Sequence, residues 1–339
     1  MKKLARSVVL PLALVAAVAA CDKGKKDAGG ATGPTGAAGA AAIAPAKGGL
    51  QRALAAMPKD SDLILGIDFT KVRSSALFKK YEGMLMKQIG DDLSKFQATC
   101  GFNPMEKLTG VLVGGKGQGQ ELDQATIFVR GFDKTAATDC LKKREASQKA
   151  AGKPAALTLD GDYLEYDDGD GDADGPMRAL WIDDQTALLV KQGDQAAGKD
   201  VLVAAAAAKD GDGLTGSKAF TDLLAKTHTG SALWFVIKGD SPMIPMGGMM
   251  KFKALYGSVD VGAGVNAEVR MWMNSADEAK SASGDFNKQL GQVKSSPFGG
   301  VLSDVSVKAE AEDVVTRVKL SQSQIDEITK LASQFGGGF

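Results

Sequence analysis

The chain has 339 residues with 41 basic and 41 acidic side chains, so its formal charge at neutral pH is zero. It carries no basic field to attract nucleic acid and no basic stripe with interleaved aromatics. An apolar content of 44% and a charged content of 24% fit a globular body, and a single histidine excludes two-histidine metal sites.

The first seven residues, MKKLARS, include three basic side chains, and Val8 to Ala20 form a short apolar run. That is the layout of a secretory signal, 1–20, with small residues before the cut. As a helix the run rises roughly 20 Å, short of the ~30 Å hydrocarbon core. The signal ends Val18-Ala19-Ala20-Cys21. This end resembles the lipobox of bacterial lipoproteins, a resemblance confined to the first 22 residues or so. It implies cleavage before Cys21, a diacylglyceryl thioether on Cys21 and acylation of its amine. Two or more acyl chains anchor stably where one does not. Asp22 resembles an inner-membrane retention signal of some Gram-negative bacteria, and the choice of membrane stays open. Residues 21–49 then read as a lipidated cysteine and a tether of Gly, Ala, Pro, Thr, Lys and Asp with one isoleucine. Such a segment cannot found a core, and its reach is about 30 Å.

Periodicity places the next elements in order. LQRALAAM is a short helix closed by Pro58, and DLILGIDF (62–69) alternates as a strand. In VRSSALFKKYEGMLMKQIG, Leu77, Tyr81, Leu85 and Ile89 recur every fourth residue, an amphipathic helix. DDLSKFQATCG (91–101) adds a second helical piece. TGVLVGG and ATIFVRG are strands around a Gly/Gln turn, and 132–148 is a helix. ALTLDGDYLEYDD, RALWID and TALLVKQ are successive strands, with helices near 196–208 and 217–226. SALWFVIKG (231–239) opens a second pass. It continues through a hairpin, 254–262 with 265–273, in which Glu268, Arg270 and Trp272 share one face. Capping boxes at Ser275–Glu278 and Ser321–Gln324 start two helices, with a hairpin around Glu312-Asp313 between them.

Both passes run β-α-β-β-α-β-β-α, the first with an extra strand and helix. The expected fold is α+β, with a first module over 50–228 and a second over 229–339. Each is expected to hold a mostly antiparallel sheet with helices on one face, ferredoxin-like in pattern. "MPKDSDLILGIDFTKVRSSALFKKY" (57–81), "CGFNPMEKLTGVLVG" (100–114) and "VKLSQSQIDEITKL" (318–331) resemble a group of uncharacterised bacterial lipoproteins. Those proteins share a lipobox, a low-complexity tether and two α+β repeats. The resemblance implies fold and location and carries no catalytic residue.

Few residues suggest chemistry. Cys100 and Cys140 remain after Cys21, and export favours a bridge between them, with two separately buried thiols as the alternative. Asp168, Asp170, Asp172 and Asp174 lie in "YDDGDGDADGP". Asp170 to Gly175 match D-x-D-x-D-G, the first half of an EF-hand loop. The second half fails, because Trp181 stands where a bidentate Glu is required. A weak calcium site with Glu165 or Asp183 as further ligands competes with a plain solvated hairpin tip. No other cofactor is indicated. "GVLVGGKG" (110–117) lacks the Ser/Thr and the following helix of a P-loop. Met243, Met246, Met249 and Met250 are thioethers that bind Cu(I) in some sites but more commonly cover a sheet or a partner surface. His228 has no G-x-S-x-G beside it. Trp181, Trp234 and Trp272 fall on strands, where core packing is the first expectation.

The expectation is therefore a non-enzymatic, lipid-anchored envelope protein. It would touch the membrane through Cys21 and bind an envelope protein or component. A calcium-dependent module is the alternative, and an envelope hydrolase the third.

Overall fold

The computed structural model describes residues 49–118, 121–169, 175–243, 251–295 and 303–334. It is a mixed α+β structure with a large antiparallel sheet. Among the described residues no helix is long and apolar enough to cross a membrane. The chain forms two compact units, and the division falls inside one strand, Ala254–Val261.

The first unit holds 49–74 and 78–258 of the described chain. Helix α1 (Gly49–Ala56) precedes strand β1 (Leu63–Asp68), whose six residues are all buried. Helices α2 (Phe69–Ser74), α3 (Ala76–Cys100) and α4 (Pro104–Lys107) follow. Next come β2 (Gly110–Gln118), β3 (Glu121–Arg130), α5 (Lys134–Ala150), β4 (Ala156–Asp160), β5 (Tyr163–Asp167), β6 (Met177–Asp183), β7 (Thr186–Gln192) and β8 (Gln195–Ala196). Helices α6 (Lys199–Ala206) and α7 (Lys218–Lys226), and strand β9 (Leu233–Lys238), complete the unit up to β10 (Ala254–Val261). The strands lie in the order β9-β1-β2-β3-β7-β6-β5-β4, with β8 beside β7. β1 is buried throughout and lies between β2 and β9, antiparallel to both. The direct pairing of β1 with β2 corrects the ferredoxin-like expectation, since a split β-α-β unit places another strand between those two. β9, read from the sequence as opening the second module, packs within this unit.

Local chemistry explains the element ends. The buried Asp68 carboxylate accepts the Lys71 amide at 3.0 Å and starts α2. Asp133 does the same for α5 through the Ala136 amide at 2.8 Å. Helix α3 is continuous for 25 residues, so the expected break near residue 90 is absent. Gly90 costs only about 1 kcal/mol in a helix interior, too little to stop it. The segment 156–167 is two strands, not one. Asp160 pairs with Tyr163 across Gly161-Asp162, and Gly161 has φ +63°, the conformation glycine supplies at the first position of a II′ turn. In β2, Gly114 lies against the buried Met57: a Cβ there would lie 2.4 Å from Met57 Sδ, so that side chain would have to shift.

The second unit holds 75–77 and 259–334 of the described chain. It contains β11 (Val265–Trp272), α8 (Ala276–Lys294), β12 (Val305–Glu310), β13 (Asp313–Leu320) and α9 (Gln322–Gln334) with the end of β10. Its strand order is β12-β13-β11-β10. α8 covers one face of β12 and β13, with buried Ala279, Ala282 and Ser283 allowing close approach. Asn287 Nδ2 donates to the Val307 carbonyl at 3.0 Å. Both expected helix starts form. The Ser275 hydroxyl accepts the Glu278 amide at 3.2 Å, while the Glu278 carboxylate reaches past it to the Asn274 amide, also at 3.2 Å. Ser321 and Gln324 form the full reciprocal box, with Gln324 Oε1 accepting the Ser321 amide.

Candidate functional site

The acidic stretch joins β5 to β6. At its start the Asp167 carboxylate accepts the Gly169 amide at 2.9 Å, a local turn. Asp168 is buried, 5% exposed. Asp170, Asp172 and Asp174 lie outside the described residues, as do Cys21 and its tether. The two supporting ligands considered from sequence are placed elsewhere. Glu165 is held by Tyr163 Oη at 2.6 Å and Arg178 Nε at 2.9 Å. Asp183 ends β6 at the opposite end from the loop, about 20 Å along the strand, and accepts the Gln185 amide at 3.0 Å. Among the described residues no group of three or more His, Cys, Asp or Glu side chains is placed to hold a metal ion.

Tyr163, Glu165 and Arg178 form one polar group on β5 and β6. Arg178 also donates to the Ala196 carbonyl at 3.0 Å, and Lys199 lies 5.6 Å from the Tyr163 ring centre. Burial, then the Glu165 hydrogen bond, pushes the Tyr163 hydroxyl up to about 12. Arg178, then Tyr163, holds the Glu165 carboxyl below its ordinary range. The Glu165–Arg178 ion pair ties β5 to β6, and the neutral Tyr163 phenol donates to the same carboxylate.

The largest charge constellation lies on β11, β13 and β12. Arg270 Nε meets Glu268 at 2.6 Å and Arg270 Nη2 meets Glu310 at 3.1 Å. Arg317 Nε meets Glu268 at 2.7 Å and Arg317 Nη1 meets Glu310 at 2.8 Å. Each arginine thus bridges both glutamates in a closed ring, and Asp313 sits 3.6 Å from Arg270 Nη1. The register aligns Glu268 with Arg317, and Arg270 with Val315 and Lys308. Val315 is 1% exposed on this charged face, beneath the long stems beside it. Burial disfavours the Glu268 anion, but the hydrogen bonds from Arg270 and Arg317 outweigh it and hold the carboxyl below its ordinary range. Arg317 does the same to Glu310. The Glu268/Arg270/Trp272 face is the one expected from alternation. Its partners were invisible in sequence, since Arg317 is 49 residues from Glu268 and only strand register brings them together.

The remaining candidates resolve simply. "GVLVGGKG" is strand β2, hydrogen-bonded on both sides, rather than a phosphate loop. His228 is exposed in the turn after α7. Met243 is half-buried, and Met246, Met249 and Met250 lie outside the described residues. Trp181 and Trp234 are buried, and Trp272 donates to Glu312 at 2.7 Å. Cys100 and Cys140 are joined, with Cα atoms 4.4 Å apart.

No protein-family model matches the chain, and no curated protein matches it in sequence. Its fold is similar to two solved structures, crystal form III and crystal form I of TP0453. The first has TM-score 0.47 at 9% identity, covering 81% of this chain and 96% of that one. The second has TM-score 0.46 at 7% identity, covering 82% and 96%. At that level the likeness assigns neither family nor activity.

Proposed function

We propose that this is a non-enzymatic, lipid-anchored protein of the cell envelope, whose folded body binds an envelope protein or component. The observation that carries the reading is the sequence Val18-Ala19-Ala20-Cys21 directly after a basic and apolar leader. The joined Cys100 and Cys140 agree with it, because such bridges persist in oxidising compartments. The tether over 22–49 then sets the working distance between membrane and body. The charge clusters on the sheets are saturated by their own partners, which suits a binding scaffold better than acid–base chemistry.

The body itself reads as a duplication. One run of strands has the order β1-β2-β3-β7-β6 and the other β9-β10-β11-β13-β12. Each places a helix, α5 or α8, after its third strand in sequence. The hairpin β4–β5 and helix α6 are then additions to the first copy.

Fractionation of cells making the full chain tests the anchor. The wild type is expected in the membrane pellet and resistant to a salt wash, with Cys21→Ala in the soluble fraction. Equal distribution of the two would reject the proposal. In-cell crosslinking of the anchored form then identifies what the body holds.

A further inference from the structure

Strand β4 ends the sheet order of the first unit, and among the described residues it has a strand partner on one side only, β5. Its sequence is Ala156-Leu157-Thr158-Leu159-Asp160. Leu157 lies opposite Tyr166 and Leu159 opposite Leu164, so the two leucines extend a row whose inner members, Leu164 and Tyr166, are buried. Leu159 is nevertheless 45% exposed. The row of apolar side chains runs from the core out to the edge and stops there uncovered.

The backbone of that edge is occupied at one point. Glu145, on α5, accepts the Leu157 amide at 3.0 Å and the Lys149 ammonium at 2.8 Å. The Leu157 N–H therefore points away from β5. By the two-residue repeat of a strand, the Leu159 N–H and carbonyl point outward as well. Outward backbone groups at Leu159, beside its exposed side chain, are a template for another strand.

We propose that the outer edge of β4 is a strand-addition surface for a second copy of this chain, with Glu145 as the latch that must release Leu157. The sequence of the strand is what selects a second copy. Antiparallel pairing about Thr158 sets each Leu157 against the other copy's Leu159, twice. It sets Asp160 against Ala156, so no like charges face each other. Leu157 and Leu159 become hydrogen-bonded pairs, and the two Thr158 residues form the non-hydrogen-bonded pair between them, with Cα atoms about 4.5 Å apart. The joined edges would continue the sheet and cover Leu159.

The geometry gives a direct test with the purified full chain. In Thr158→Cys the two introduced thiols would stand within disulfide reach, since bridged Cα atoms lie about 4.4–6.8 Å apart. Mild oxidation is expected to give a covalent dimer as the main species on a non-reducing gel. Ser94→Cys, exposed on α3, serves as the control and should stay near background. Adding Leu159→Lys to Thr158→Cys should lower the dimer yield about tenfold. Adding Glu145→Ala, which frees the Leu157 amide, should tighten association about tenfold. Residues 158 and 159 are exposed, and unchanged thermal melting would show that these variants fold. Crosslinking of Thr158→Cys no faster than of Ser94→Cys would overturn the proposal. So would a yield indifferent to Leu159→Lys.

Discussion

Ala311 holds a backbone conformation that an L-residue adopts at a cost. Its φ of +52° is the only positive value among the described non-glycine residues, and it occupies the first position of the two-residue turn between β12 and β13. The turn residues are Ala311 and Glu312, one position earlier than the turn expected from sequence, with Asp313 already in the strand. Glycine removes the Cβ clash, offset in part by its larger unfolded-state freedom. Ala311→Gly is therefore expected to raise stability by about 0.5–1 kcal/mol, read as a higher urea midpoint with unchanged slope. Glycine here was not written in the sequence, so the turn position could not be read from composition. The Arg270–Glu268–Arg317–Glu310 ring gives a second residue-scale expectation. Both glutamates are held below the ordinary Glu value of 4.5. A lowered folded value means that the unfolded chain takes up protons first on acidification. The stabilisation is complete above that value and is lost as pH falls through the lower folded values. The thermal midpoint should be flat near neutrality and fall below about pH 4.5, and Glu268→Gln with Glu310→Gln should make that acid limb shallower. These side chains remain 22–39% exposed, so each pair contributes only about 0–1 kcal/mol at neutral pH.

Cys100 closes α3, Cys140 lies in the second turn of α5, and the bridge between them spans 40 residues. Phe96 and Phe102 stack edge to face at 5.4 Å next to it, and Phe102 lies 6.2 Å from Phe132 at the entry to α5. Closing such a loop restricts the unfolded chain by about 4 kcal/mol on the chain-entropy model. The Cys100→Ala/Cys140→Ala variant is expected to unfold at a clearly lower guanidinium concentration, and an unchanged midpoint would show that the aromatic cluster alone holds α3 to α5. Elements of this kind were legible where chemistry is local. The apolar run in LILGID, the Ser275–Glu278 cap and the Ser321/Gln324 box each depend on residues within a few positions, although β1 is buried on both faces where alternation was expected. What was not legible depends on distant partners. The split of 156–167 into two strands needed the Gly161 turn to be weighed against a continuous alternation. The use of Gly114 became apparent only once Met57 was seen lying on it. For the acidic loop, the sequence placed it correctly between two strands but could not show that Glu165 is committed to Arg178 and that Asp183 ends the strand away from it.

At the scale of the molecule, the described residues form two compact units, and the proposed function adds a leader and a tether before them. The α+β class and the antiparallel sheet follow from strands that come mostly in hairpins, because hairpin connections cannot make parallel neighbours. The order of strands within the sheet does not follow from the sequence in the same way, which is why the ferredoxin-like expectation failed while the class held. Among the described residues, Glu165, Glu268 and Glu310 are ion-paired to arginines on their own or neighbouring strands. The proposed function rests on where the body is held. Growth of cells with radiolabelled palmitate measures that most directly. The account predicts label in the full-length product that is lost in Cys21→Ala, and a wild-type product that carries no label would contradict it.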